Sequence, residues 1–166
     1  RLPAQPLAGK RIAITVGSRG IPNLDAIVST LCRYLRQRGA QPFIVPAMGS
    51  HGGATAEGQR ALLSHYGISE EIMGAPIVSD MAVEQYGEIE GLPLYCDRHA
   101  LRADAIVVLN KVKPHTDFRG DVESGLCKMI AVGLGKHRGA SALHARGFSE
   151  FPRLLPRIAE AFISTA

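Results

Sequence analysis

Three lysines, an arginine, a histidine and three carboxylates crowd one short stretch, KVKPHTDFRGDVESGLCKM, from Lys111 to Met129. Proline and glycine break any regular pattern there, so these groups sit on a loop leading into a helical turn. An imidazole titrates near neutral pH and can serve as acid or base, and a guanidinium or ammonium can hold an anion. Two other Gly-rich loops carry matching chemistry: GSRG presents Arg19, and MGSHGG presents His51. Brought together, Arg19, His51, Lys111, Lys113 and His115 would make a cationic pocket with two imidazoles, suited to an acidic small molecule.

The remaining histidines are weaker candidates. His65 falls inside a helical pattern and His99 in a short turn, which favours structural roles, and His137 follows Lys136 in a glycine-rich run that suits the surface. His144 has no histidine or carboxylate four residues away, so its own surroundings do not make a metal motif. Cys127 beside Lys128 could be a reactive thiol or a packed core residue. No nucleophile elbow is present. GSRGIPN lacks the full dinucleotide fingerprint, and GLGKHRGAS does not match a Walker loop.

The elements that must position these loops are short. Lys10–Val16, Gln41–Ala47 and Ala103–Leu109 read as strands, the last as the clearest buried one, and each runs into one of the three loops. A helix is expected over Leu24–Arg38, with Asn23 as N-cap and Gly39 closing it. A second should start at Thr55, with Glu57 and Gln59 in its first turns, and a third should span Phe151–Thr165. Ile77–Val78 reads as a brief strand, and Val83–Glu88 with Leu92–Cys96 as a hairpin turning at Glu90–Gly91. The alternation predicts an α/β, Rossmann-like, mostly parallel sheet with flanking helices, right-handed crossovers and a small β-hairpin insertion. In such sheets ligands bind beyond the carboxyl ends of the strands, where the three loops lie.

Composition narrows the classes further. With 46 % hydrophobic and 20 % charged residues the chain is neither disordered nor fibrous. Its net charge of +4 is scattered, and it has no tryptophan, so a nucleic-acid stacking platform is not supported. Cys32, Cys96 and Cys127 are far apart, which suits a reducing, cytoplasmic setting and no zinc knuckle. No membrane span or signal segment is read, so neither nucleic acid nor membrane is an expected partner. The chain reads as one domain, 1–166, expected to be cut from a longer one.

Taken together, GSRG, VPAMGSHGGATAEGQ, VVLNKVKPHTDF and SGLCKMIAVGLGKHRGASALH resemble the N-terminal domain of the nickel-dependent lactate racemase family. The likeness covers nearly the whole chain and is greater to the family's broad lactate-racemase-like relatives than to lactate racemases themselves. It implies an isomerase, a racemase or epimerase of 2-hydroxy acids, that uses a nickel-pincer pyridinium mononucleotide tethered to a lysine. By that resemblance His51 and His115 are the two catalytic bases and Arg19 binds the substrate carboxylate. Lys128 carries the cofactor and His144 ligates nickel. It also implies a second domain of the same chain closing over the site, and cofactor-synthesis proteins as partners. The competing expectation is a non-enzymatic α/β module that binds a nucleotide or a small anionic metabolite.

Overall fold

The computed structural model describes residues 6–165. Three parallel strands, β1 (Arg11–Val16), β2 (Gln41–Pro46) and β5 (Ala105–Val108), form a sheet in the order β2-β1-β5. A parallel bridge from Ile77 to Ile44 extends it beyond β2, secured by Ile44 N–H to Pro76 O and Val78 N–H to Ile44 O at 2.8 Å each. The resulting order is that of one half of a doubly wound sheet.

Alternation along the strands feeds two cores. Ile12, Ile14, Val16 and Ile44 face α1 (Leu24–Gln37), which buries Leu24, Val28, Cys32 and Leu35 along one stripe. Ala13, Phe43 and Val45 face the opposite way, onto Cys96, Met129, Ile130, Leu134 and Phe162. Helices therefore cover both faces, as a parallel sheet requires.

α1 ends in a Schellman arrangement. Gly39, at φ 79°, donates to Arg36 O at 2.9 Å, and Ala40 donates to Leu35 O at 3.1 Å. Its start differs from the expected N-cap. Asn23 adopts a left-handed backbone, φ 58°, and makes no side-chain cap. A capping oxygen reaches the next amides only from an extended backbone, so Asn23 serves the turn instead. Thr55 does cap α2 (Ala56–His65), accepting from Gly58 N–H at 3.0 Å.

A short helix, α3 (Glu70–Met73), precedes the Ile77 bridge. The hairpin pairs β3 (Val83–Ile89) with β4 (Leu92–Asp97), turning through Glu90 and Gly91 at φ 52° and 74°. Positive φ at both turn positions is what a tight two-residue hairpin demands. Asp97 then caps the short α4 (Arg98–Leu101) through bonds from His99 and Ala100 N–H at 2.8 and 2.9 Å.

β5 corrects the expectation of a fully buried strand over Ala103–Leu109. Only Ala105–Val108 pair, and all four are at least partly exposed, because β5 is the edge of the sheet among the described residues. After the charged loop come α5 (Gly125–Lys128), a π-helical turn at Met129–Leu134, α6 (Lys136–His144) and α7 (Phe151–Ile163). α7 buries Phe151, Leu154, Leu155, Ile158 and Phe162 on one face and carries Pro152 in its first turn, where no amide is missed. No helix among the described residues is long and apolar enough to cross a membrane.

Candidate active site

β1, β2 and β5 all end at one side of the sheet, and their following loops enclose a cleft of about 280 Å³. Gly17, Ser18 and Arg19 come from the first loop, and Ala47, Met48, Ser50 and His51 from the second. The third contributes Leu109 to Lys111, Lys113 and His115. Lys128 on α5 and His144 at the end of α6 close the far wall. All five residues named for roles thus border one cavity, at the point where the chain order reverses about β1.

The floor is shaped by the π-helical turn. A side chain on Gly133 would stand 2.6 Å from Met129 Sδ and 2.7 Å from Ala47 O, so only glycine lets the turn lie against the end of β2. Gly49 N–H reaches Gly133 O at 3.2 Å across that contact. The His51 loop is pressed equally hard onto α2. A Cβ on Gly58 would fall 1.9 Å from Gly52 O, and Gly52 itself is at φ 66°.

The His115 loop has little regular structure and is held by side chains. Glu123 accepts from His115 and Gly120 N–H at 2.8 and 3.1 Å, and these bonds hold its carboxyl below the usual range. Ser124 Oγ accepts from Lys113 N–H at 2.7 Å, and Asn110 donates to Gly125 O at 2.5 Å. Phe118, the buried residue of the loop, lies tilted over the His115 ring at 4.3 Å and meets Phe151 edge-on at 5.4 Å.

Electrostatics follow from packing cations around a half-enclosed space. Burial lowers the His51 pKa, with further lowering by Arg19 and Lys128. Burial likewise lowers His115, helped by Lys128 and Lys113 and opposed by Asp117 and Glu123. Lys128 is itself lowered, first by burial and then by Lys113 and Arg19, with Asp117 opposing. Both imidazoles are therefore biased toward the neutral form that can take a proton, and the amine toward the form that can be acylated. Among the described residues none of Arg19, Lys111, Lys113 and Lys128 joins an ion pair. Such a cleft calls for an anion.

The ring nitrogens differ in what they can do. Asp117 N–H donates to His115 Nδ1 at 3.1 Å, which places the proton of the neutral ring on Nε2. His144 has the reverse arrangement: Nδ1 lies 2.5 Å from Ala140 O and must donate to it, leaving Nε2 with its lone pair. The His144 ring is also wedged edge-on against Phe148 and Phe151, at 5.5 and 5.1 Å. A single oriented imidazole can add one nitrogen to a metal's coordination sphere. Among the described residues no group of three or more histidine, cysteine or carboxylate side chains is placed to hold an ion unaided.

The other histidines lie elsewhere. His99 bonds Asp80 at 3.0 Å on α4, His65 packs edge-on to Tyr66, and His137 is exposed. Cys127 is half-buried and free, packed between two apolar clusters. Sequence reasoning missed the buried supports of the site, Gln59, Asp97 and Lys136. Gln59 had a readable signal: it precedes Leu63 by four residues, on the face of α2 that packs inward. Comparisons of the chain with protein-family models, with curated proteins and with solved structures return no match.

Proposed function

We propose that this chain is the catalytic half of a racemase or epimerase of 2-hydroxy acids, working with a nickel-pincer pyridinium mononucleotide tethered to Lys128. The observation that carries this reading is convergence. Arg19, His51, His115, Lys128 and His144, scattered over the sequence, border a single cleft at the carboxyl ends of parallel strands. The motifs that resemble the lactate racemase family are the same ones that form its walls.

The residues suit the group. Lys128 offers an amine whose pKa is lowered, as an acyl link to nitrogen requires, and His144 offers a free Nε2 fixed by its own helix. An imidazole is a fitting donor for nickel beside softer sulfur ligands. The chemistry such a group supplies is reversible acceptance of the Cα hydrogen as hydride on an electron-poor ring.

The chain's own side chains handle charge and protons. Arg19 presents a planar fork to the substrate carboxylate. His51, neutral and facing the cleft, takes the hydroxyl proton as the carbonyl forms. His115, protonated at Nδ1 once the Asp117 amide is released, gives its Nε2 proton to the substrate oxygen when the carbonyl is reduced again and ends neutral, so one ring gains the proton that the other loses. The two imidazoles thus start a cycle in different states, and exchange roles when the opposite enantiomer is the substrate.

Mass spectrometry of full-length protein, isolated from cells that make the cofactor, tests the reading. A covalent adduct of cofactor size on Lys128, together with racemisation of a 2-hydroxy acid, is expected. Unmodified Lys128 and no turnover would overturn it. The four unpaired cations favour one second reading, a module that binds a nucleotide or anionic metabolite without transforming it. Anion binding that survives His51→Ala and His115→Ala, with no turnover in any form, would select that reading.

A further inference from the structure

Gln59, Asp97 and Lys136 are each fully buried, yet none of them lines the cleft. They come from α2, the end of β4 and the start of α6. Lys136 holds a left-handed backbone, φ 52°, an unfavourable conformation for a long side chain and one that the surrounding contacts must maintain.

Counting donors and acceptors shows what they maintain. The Lys136 ammonium has three protons and three oxygen neighbours: Pro46 O at 2.5 Å, Gln59 Oε1 at 3.4 Å and Asp97 Oδ2 at 3.1 Å. The last is a charge contact lying off the hydrogen-bonding direction. Asp97 Oδ1 is occupied by the amides of His99 and Ala100. Burial lowers the Lys136 pKa and Asp97 opposes that, while the three oxygens around Nζ suit the charged form.

The ammonium can only donate, which fixes the Gln59 amide with its oxygen toward Lys136 and its NH₂ away. Those two protons go to Gly49 O at 3.0 Å and His51 O at 3.2 Å. Both ends of the Gln59 amide are used, Asp97 Oδ2 meets the ammonium as a charge contact without a hydrogen bond, and the chain of contacts ends on the backbone of the residue that faces the cleft. A buried network whose amide is committed at both ends polarises along its length and holds that amide in one orientation.

We propose that Gln59, locked by the Lys136–Asp97 pair, is the positioning residue for His51. It sets the loop from Gly49 to His51 against the end of β2 and so holds the imidazole where Arg19 and Lys128 act on it. Calling His51 a base rests on the function proposed above; the placement of its ring does not.

The test therefore uses no turnover. Imidazole titrations of the purified chain are followed by NMR in the parent, in Gln59→Met and in Gln59→Glu. Gln59→Met keeps the volume and removes both amide donors. Gln59→Glu keeps a partner for Lys136 and turns the two donors into acceptors that repel the Gly49 and His51 carbonyls. In both variants His51 should titrate closer to the ordinary imidazole value than in the parent, while His115, held from the other wall, should keep its parental titration.

Folded variants in which His51 titrates as in the parent would overturn the proposal and leave Gln59 a packing residue. Should neither variant fold, hydrogen exchange on the parent decides. The His51 and Ala54 amides, bonded to Met48 and Ser50 carbonyls, should be as protected as the amides of α2. Free exchange at those two amides would equally overturn it. A lysine adduct or racemase assay enters neither arm, so failure of the functional reading and failure of this proposal are separate results.

Discussion

His51 follows β2 on a loop whose carbonyls are gripped by a buried amide, whereas His115 follows β5 on a loop whose amides are gripped by a carboxylate near the surface. The two rings face the same cleft and have their pKa values lowered first by burial and then, in part, by a shared neighbour, Lys128. Their supports differ in kind. The His51 loop lies against α2 so closely that Gly52 and Gly58 admit no side chain, and its anchor reaches into the core. The His115 loop hangs on Glu123, Ser124, Asn110 and one buried ring, Phe118, beside residues such as Val112 that stand in solvent. A cleft with one fixed and one lightly held wall can admit a ligand and then tighten around it. Both walls can be broken separately.

The deepest break is at Asp97. Replacing it with alanine strands the Lys136 ammonium in the core and uncaps α4, and removing one partner of a buried pair costs about 3–5 kcal/mol. Urea unfolding should show that loss, and the double variant Asp97→Ala with Lys136→Met should recover part of it, because no charge is then left unpaired. A double variant no more stable than Asp97→Ala would mean that the cap, rather than the ion pair, carries the stability.

The corresponding break on the other wall is Phe118→Ala, which empties a site shared with Phe151 and Leu154. A loss of about 3 kcal/mol is expected, at the lower end for a buried phenylalanine because the site is near the surface. His115 also loses the ring it packs against, so its titration should move up toward the ordinary value while that of His51 stays put. Equal movement of both would deny that the two walls are independent.

The regular wall was the more legible in sequence. The apolar runs of β1 and β2, the stripe on α1, the Gly39 stop and the Glu90–Gly91 turn each follow a local rule, and the structure contains them all. The convergence of the three loops was readable too, since it follows from parallel strands ending at one side of a sheet. What escaped was whatever depends on contacts distant in sequence. Lys136 lies 90 residues from Pro46, and nothing in its glycine-rich surroundings marks it as buried. β5 reads as buried because its residues are apolar, although exposure is decided by whether another strand lies beside it. Asn23 has the composition of a cap and the backbone of a turn, and composition does not distinguish the two.

Acid should weaken both walls modestly. Burial, helped by the surrounding cations, holds His51 and His115 below the ordinary imidazole value of about 6.5, so the unfolded chain binds more protons in the window just beneath it. Their contribution to stability is complete above pH 6.5 and is lost as the pH falls through the folded values. Relative to a double variant, His51→Gln with His115→Gln, the parent should lose stability on acidification from pH 7 to 5. Parallel pH profiles for the two proteins would mean that neither ring is depressed.

The smallest effect separates the walls most cleanly. Thr55 Oγ1 accepts from Gly58 N–H at 3.0 Å, capping α2, and donates to Gly52 O at 3.3 Å, tying that cap to the His51 loop. Thr55→Ala removes both bonds and fills no space, so a loss of about 1 kcal/mol is expected from the cap. Because the loop and the first turn of α2 share that hydroxyl, hydrogen exchange at Gly58 and Ala54 should accelerate together. Exchange at His115 and Gly120, whose amides bond Glu123 across the cleft, should be unchanged. Thr55→Ser keeps the oxygen and should restore the parental pattern, which ties the effect to the hydrogen bonds rather than to the lost methyl. Acceleration on both sides after Thr55→Ala would show that the loops open as one unit, and the contrast between a fixed and a lightly held wall would fail.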